Sequence, residues 1–173
     1  VTPPAAAIGL DGLERVVIYL KRAYDDGQDR EARWNMMMAA SEGAMAFSKG
    51  LGAVHSMSHA LGADEDMRLH HGTLNAVLLP TVLRFNEAHV DDDKFVRMRR
   101  AMGLKEGADI STWIEEFNQL LELPANLAEM GVTSDMFPDL IDHCMTDACH
   151  FSNPKVPTRE EYMGMFTDAL GRG

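Results

Sequence analysis

Several things are scarce in this chain, and each shortage narrows the reading. Cysteine is nearly absent, with only Cys144 and Cys149 among 173 residues. Two cysteines in one expected helix make no secreted-type disulfide framework, so a reducing, cytoplasmic setting is expected. A domain of this length buries roughly 70% of its unfolded surface and needs no disulfide or metal to hold its core. Basic residues are also few: 16 Lys plus Arg against 27 Asp plus Glu, a formal charge of −11. That balance argues against a nucleic-acid backbone or an anionic membrane as the main partner. The longest apolar stretch, Leu74 to Leu83, contains Asn75 and Pro80 and is far shorter than the ~20 residues of a membrane span. There is no secretory n-region and h-region. No run alternates with period two beside a hairpin signal, so no sheet is expected. Internal repeats and low-complexity tracts are missing too.

What is present is helical. Hydrophobic residues make up 46% and charged residues 25%, ordinary globular values that exclude wholesale disorder. Leu10, Leu13, Val17, Leu20 and Tyr24 recur at three- and four-residue steps, an apolar stripe on one helix face that ends at Gly27. Asp29 can cap a second helix that carries Ala32, Met36, Ala39, Gly43, Ala46 and Phe47 inward. Its small residues suit close helix–helix approach. A Gly-punctuated segment from Gly50 to His59 follows, then a polar loop from Asp64 to Arg68. The next helix starts near His71-Gly72 and runs to Phe85, with Pro80 inside it as an expected kink. Asp91 to Asp93 suit a helix N-terminus, and Gly103 suits its C-cap. Trp113, Ile114, Phe117, Leu120 and Leu121 mark a helix stopped before Pro124. A further helix is expected over roughly Asp135 to Cys149. Thr158 and Glu161 form a capping box for the last helix, which ends at Gly171. The pattern predicts one all-α domain of seven or eight helices over residues 1–173.

The chemistry concentrates in histidine. His55, His59, His70 and His71, four of the seven, fall within seventeen residues. His55 and His59 are four apart, so on a helix both imidazoles leave one face. Neutral imidazoles at i and i+4 meet the needs of a divalent metal with little rearrangement. Hydrogen-bonded core or surface histidines are the bland alternative, and for this cluster metal binding or catalysis outweighs it. Other signals are weak. Gly50-Leu51-Gly52 lacks a preceding strand and a third glycine, so it is no phosphate turn. There is no Gly-x-Ser-x-Gly elbow and no His-Glu-x-x-His. Asp147, Cys149 and His150 read as a polar helix end. The thirteen methionines read as core filler.

The segment Gly50-Leu-Gly-Ala-Val-His55-Ser-Met-Ser-His59-Ala-Leu-Gly62, with His70-His71-Gly72-Thr-Leu-Asn75 and the run through Pro80 to Asn86, resembles the signature of the iron-containing (group III) alcohol dehydrogenases. Asp29 to Asn35, Leu123-Pro124 through Val132, Asp147-Ala-Cys149 and Asn153-Pro154 resemble that family as well. The resemblance implies a two-domain enzyme of the dehydroquinate-synthase-like architecture. An N-terminal α/β domain binds NAD(P). A C-terminal helical domain holds Fe2+, sometimes Zn2+, by one Asp and three His. By the motif, His55 and His71 match two of those ligands. His59 matches a histidine facing substrate and nicotinamide, a candidate for proton relay.

The resemblance also marks a departure. In the family the Asp and the remaining His lie on a helix just before the segment that Pro3-Pro4-Ala-Ala-Ala-Ile-Gly-Leu resembles. The chain opens at Val1 after that point. A fragment cut inside the metal-binding domain is therefore expected, with the nucleotide-binding domain missing and metal and NAD(P) binding weak or absent in the chain alone. Expected partners are a small alcohol or aldehyde, the missing domain and a further copy of the chain. A non-enzymatic helical interaction module is the alternative.

Overall fold

Short polar side chains set several of the helix starts. In the computed structural model, which describes residues 3–47, 50–64 and 67–171, Asp29 accepts from Ala32 N–H, Asp109 from Thr112 N–H and His70 from Thr73 N–H. Each satisfies a backbone donor that the first helical turn leaves without a partner. Thr158 and Glu161 make the full reciprocal capping box. Eight α-helices result, and no strand occurs among the described residues: α1 (Pro3–Asp25), α2 (Arg30–Ala46), α3 (Ala53–Gly62), α4 (His71–Glu87), α5 (Asp92–Ala101), α6 (Ile110–Leu120), α7 (Phe137–Thr146) and α8 (Arg159–Leu170). The all-α expectation holds. Val1, and the Glu65 and Asp66 of one acidic run, lie outside the described residues.

The helices gather into two compact units. The first comprises α1, α2 and α5. Its α1–α2 contact runs through small residues: a Cβ on Gly9 would lie 3.6 Å from Ala46 Cβ, and one on Gly12 would lie 3.3 Å from Glu42 Cβ. Arg15 on α1 ties the pair together, with Asp11 at 2.8 Å, Asn35 at 2.6 Å and Glu42 at 3.3 Å. This corrects two details read from periodicity. The fully buried residues of α1 are Ala5 and Gly12, while Tyr24 of the predicted stripe is 47% exposed. Phe47, expected inside, is 52% exposed beyond the end of α2. At the end of α5 the chain reverses through Gly103 at φ 68°. There Leu104 N–H reaches the Arg99 carbonyl at 2.8 Å and Gly103 N–H that of Arg100 at 3.1 Å, the paired bonds of a Schellman end.

The second unit comprises α3, α4, α6, α7 and α8 around one apolar core, where Met57, Leu61, Leu74, Leu78, Ile141 and Phe166 are essentially inaccessible. Pro80 sits inside α4. It has no N–H, so the carbonyl of Ala76, four residues back, loses its helical partner. Asn118 Nδ2 of α6 donates to that carbonyl at 2.8 Å. The α7 expectation was too long: the helix is preceded by a 3-10 turn at Ser134–Met136 and ends at Thr146, so Asp147 and Cys149 stand in the turn beyond it.

Candidate metal and proton-transfer site

The helix that carries His55 and His59 has no capping side chain of its own. Its N-cap is Gly52, in extended backbone. The missing acceptor comes from Asn153, whose Oδ1 takes the Ala53 N–H at 3.1 Å. Asn153 is held in turn by Asn86, with amide bonds of 2.8 and 3.3 Å, and by the Lys155 carbonyl at 2.8 Å. A Cβ on Gly52 would lie 2.9 Å from Asn153 Oδ1, so glycine is needed here for close approach. On the far side of α3, Ser56 Oγ donates to the Cys144 carbonyl at 3.0 Å and accepts from buried Tyr162 at 3.2 Å. The helix is thus fixed at its start and at its second turn.

On that helix His55 and His59 are half-buried, and the exposed His71 opens α4 beside them. The three rings converge: centroids are 5.3 Å apart for His55–His71, 5.8 Å for His55–His59 and 5.5 Å for the stacked His59–His71 pair. Burial, then the neighbouring His71 and His59, push the His55 pKa down, which favours the neutral ring that a metal requires. Asn75 Nδ2 lies 3.0 Å from His71 Nε2. An amide nitrogen only donates, so that Nε2 carries a lone pair. His71 Nδ1 then faces Ser58 Oγ at 3.4 Å, and Ser58 donates to the His55 carbonyl at 3.1 Å. Asn75 Oδ1 is buried and has no hydrogen-bond partner among the described residues. An apolar cleft of about 400 Å³ opens beside this end, lined by Leu51, Val54, His55, Asn75, Leu79 and Leu83 among others.

His59 differs from its two neighbours because its Nδ1 lies 3.0 Å from Asp147 Oδ2. A carboxylate only accepts, so Nδ1 carries the ring proton and Nε2 of the neutral ring is the basic nitrogen. Burial works to raise the Asp147 pKa, but hydrogen bonds from His59, the Cys149 N–H and the Cys149 thiol hold it below the usual carboxylate range. Burial and that same carboxylate push Cys149 up to about 11. The polar helix end read from the sequence is therefore part of the histidine site through Asp147 and Cys149. His150 is not: its Nδ1 bonds Tyr162 in the core at 3.1 Å. His70 serves as the cap of α4. In the sequence Asp147 reads only as part of a polar helix end, because its partner lies 88 positions away; the Asp147-Ala-Cys149 resemblance is the one signal that ties it to the family.

Imidazoles gathered on a helical scaffold, with a carboxylate-held histidine beside them, are a donor set suited to a divalent metal and to proton transfer. Residues 2–170 match the Fe-containing alcohol dehydrogenase family, C-terminal, and the chain belongs to that family. The 4-hydroxybutyrate dehydrogenase of Cupriavidus necator is 51% identical, aligned over 97% of this chain and 46% of the relative. Alcohol dehydrogenase 4 of Schizosaccharomyces pombe is 36% identical over 97% of this chain and 40% of its own length. The crystal structure of a 1,3-propanediol oxidoreductase superposes with a TM-score of 0.90 at 29% identity, covering 98% of this chain and 46% of that one. The chain spans less than half the length of these relatives.

Proposed function

We propose that the chain is the C-terminal helical, metal-binding part of an NAD(P)-linked dehydrogenase acting on small alcohols or their aldehydes, with the nucleotide bound by an α/β domain outside these residues. The observation that carries this reading is the gathering of His55, His71 and His59, three residues that match the family motif and whose ring centroids lie 5.3–5.8 Å apart. His55 and His71 would hold the divalent metal, iron or zinc. When bound, the metal supplies Lewis-acid polarisation of the alcohol oxygen.

The remaining steps belong to the chain's own side chains. His59 takes the hydroxyl proton at Nε2, because Asp147 keeps the other proton on Nδ1 and stabilises the imidazolium that forms. The apolar cleft beside His55 shelters the carbon chain and keeps water away. A nicotinamide, when bound by the other domain, would supply the hydride acceptor or donor. A 4-hydroxy acid is the first substrate to assay, since the relative with 51% identity is named for 4-hydroxybutyrate.

The test is a chimera in which this chain replaces the matching part of the Cupriavidus necator 4-hydroxybutyrate dehydrogenase. Loaded with iron, it should reduce NAD(P) with 4-hydroxybutyrate at ~1 per second or faster. The 173-residue chain alone should show no such turnover. A folded chimera that binds nucleotide yet stays inactive on short alcohols, or full turnover by the chain alone, would contradict the proposal.

A further inference from the structure

Asp147 and Cys149 stand in a pinned turn. Asp147 N–H donates to the His143 and Cys144 carbonyls at 3.1 and 3.3 Å, closing α7. Cys149 N–H donates back to Asp147 Oδ1 at 2.7 Å. Across from this turn, α3 presents His59 with Nδ1 3.0 Å from Asp147 Oδ2. One ligating atom each from His59, Asp147 and Cys149 lie within 4.8 Å of one another, and all three residues are half-buried. Among the described residues no other trio of His, Cys, Asp or Glu is so disposed.

We infer that His59, Asp147 and Cys149 form a second metal site, separate from the His55–His71 centre, for a borderline or soft divalent ion of the Zn2+, Co2+ or Cd2+ type. The donor set selects that class. Thiolate sulfur favours soft ions, imidazole suits zinc and cobalt, and a carboxylate completes three protein ligands with one position left for water. Mg2+, which wants an octahedron of oxygens, does not fit.

The spacing fits as well. Ligand atoms on a tetrahedral zinc ion lie about 3.5 Å apart, from bonds of about 2.0–2.3 Å. The 3.0 Å His59–Asp147 separation opens slightly to reach that value, and the separations to Cys149 Sγ, at most 4.8 Å, have about 1 Å or less to close. The backbone that carries the ligands is itself fixed, one ligand coming from a helix and two from a hydrogen-bonded turn. Cysteine binds as thiolate, so an S–metal bond replaces the S–H bond and the proton passes to solvent. When His59 ligates through Nδ1 its ring proton moves to Nε2, and the ring stays neutral. The ion therefore takes the place of the proton that Asp147 holds on Nδ1. Occupancy of this site and the proton relay exclude each other, a consequence that rests on the proposed dehydrogenase role. The site itself does not rest on that role.

The experiment is titration of the 173-residue chain with Co2+, followed by the near-ultraviolet band of a cobalt–thiolate bond. The band should appear with one equivalent of Co2+, be displaced by Zn2+ and be unaffected by Mg2+. It should vanish in Cys149→Ser, remain in His55→Ala, and remain in Cys144→Ala, because Cys144 is buried with its thiol on the Ser56 carbonyl. A measurement on the unaltered chain guards against misfolded variants: Zn2+ should slow maleimide labelling of Cys149, read by peptide mapping. Three results would overturn the site. They are no band and no protection up to millimolar metal, a band that survives Cys149→Ser, or a band lost in a folded His55→Ala chain, which would mean one shared centre.

Discussion

What sets His59 apart from its neighbouring histidines is a carboxylate at one ring nitrogen. His71 is held by Asn75 and Ser58, and His59 by Asp147. The spacing of His55, His59 and His71 was readable in the sequence because i, i+4 geometry is local. The Asp147 contact was not, because it joins α3 to the turn after α7 and no periodicity encodes it. Asp147→Asn should therefore lower turnover of the chimera about 10- to 100-fold while leaving its iron content unchanged, as metal analysis alongside kinetics would show. Loss of iron in that variant would instead make Asp147 a ligand. A second residue, His150, sets a pH dependence. It is 3% exposed, and burial pushes its pKa below the ordinary value. The unfolded chain then takes the proton first, so His150's contribution is complete above the unfolded value of about 6.5 and fades as pH falls toward the folded one. The melting temperature of the metal-free chain should drop from about pH 7 to about pH 5.5, and His150→Gln should flatten that drop. An equal slope in the variant would contradict this. His55, whose pKa is pushed the same way, adds to the slope in both chains.

At the scale of elements, starts and stops were legible wherever a side chain caps its own helix, as at Asp29, Gly103 and Thr158–Glu161. They were not legible where the cap comes from afar. The acceptor at the start of α3 is Asn153, 100 positions away, and the carbonyl freed by Pro80 is answered by Asn118 of another helix. Burial within α1 was overread for a related reason: periodicity shows that a face is apolar, but Gly9 and Gly12 decide where α2 lies against it. The remote bonds carry two stability predictions. Asn153→Ala, which leaves the Ala53 N–H and the Lys155 carbonyl without their partner, should cost about 2 kcal/mol in urea unfolding, against about 1 kcal/mol for Thr158→Ala at the local cap. A smaller loss for Asn153→Ala than for Thr158→Ala would show that the remote cap is dispensable. Asn118→Ala should cost less in a Pro80→Ala background than in the native one, because an alanine in place of the proline restores an N–H for the Ala76 carbonyl. Equal costs in a double-mutant cycle would deny that coupling.

For the whole molecule, the all-helical architecture was legible from periodicity and the absence of strand signals, and the family from the histidine segment. The grouping of α1 and α2 with α5, which follows only after α3 and α4, was not, since it depends on which faces meet. Among the described residues no helix is long and apolar enough to cross a membrane. In the proposed function His55 and His71 hold the metal while His59 moves a proton. Iron content of the chimera, measured in purified His55→Ala, His71→Ala and His59→Ala variants, tests it most directly. The first two should lose their iron, and His59→Ala should keep it while losing turnover. Iron retained in His71→Ala, or lost in a folded His59→Ala, would contradict it.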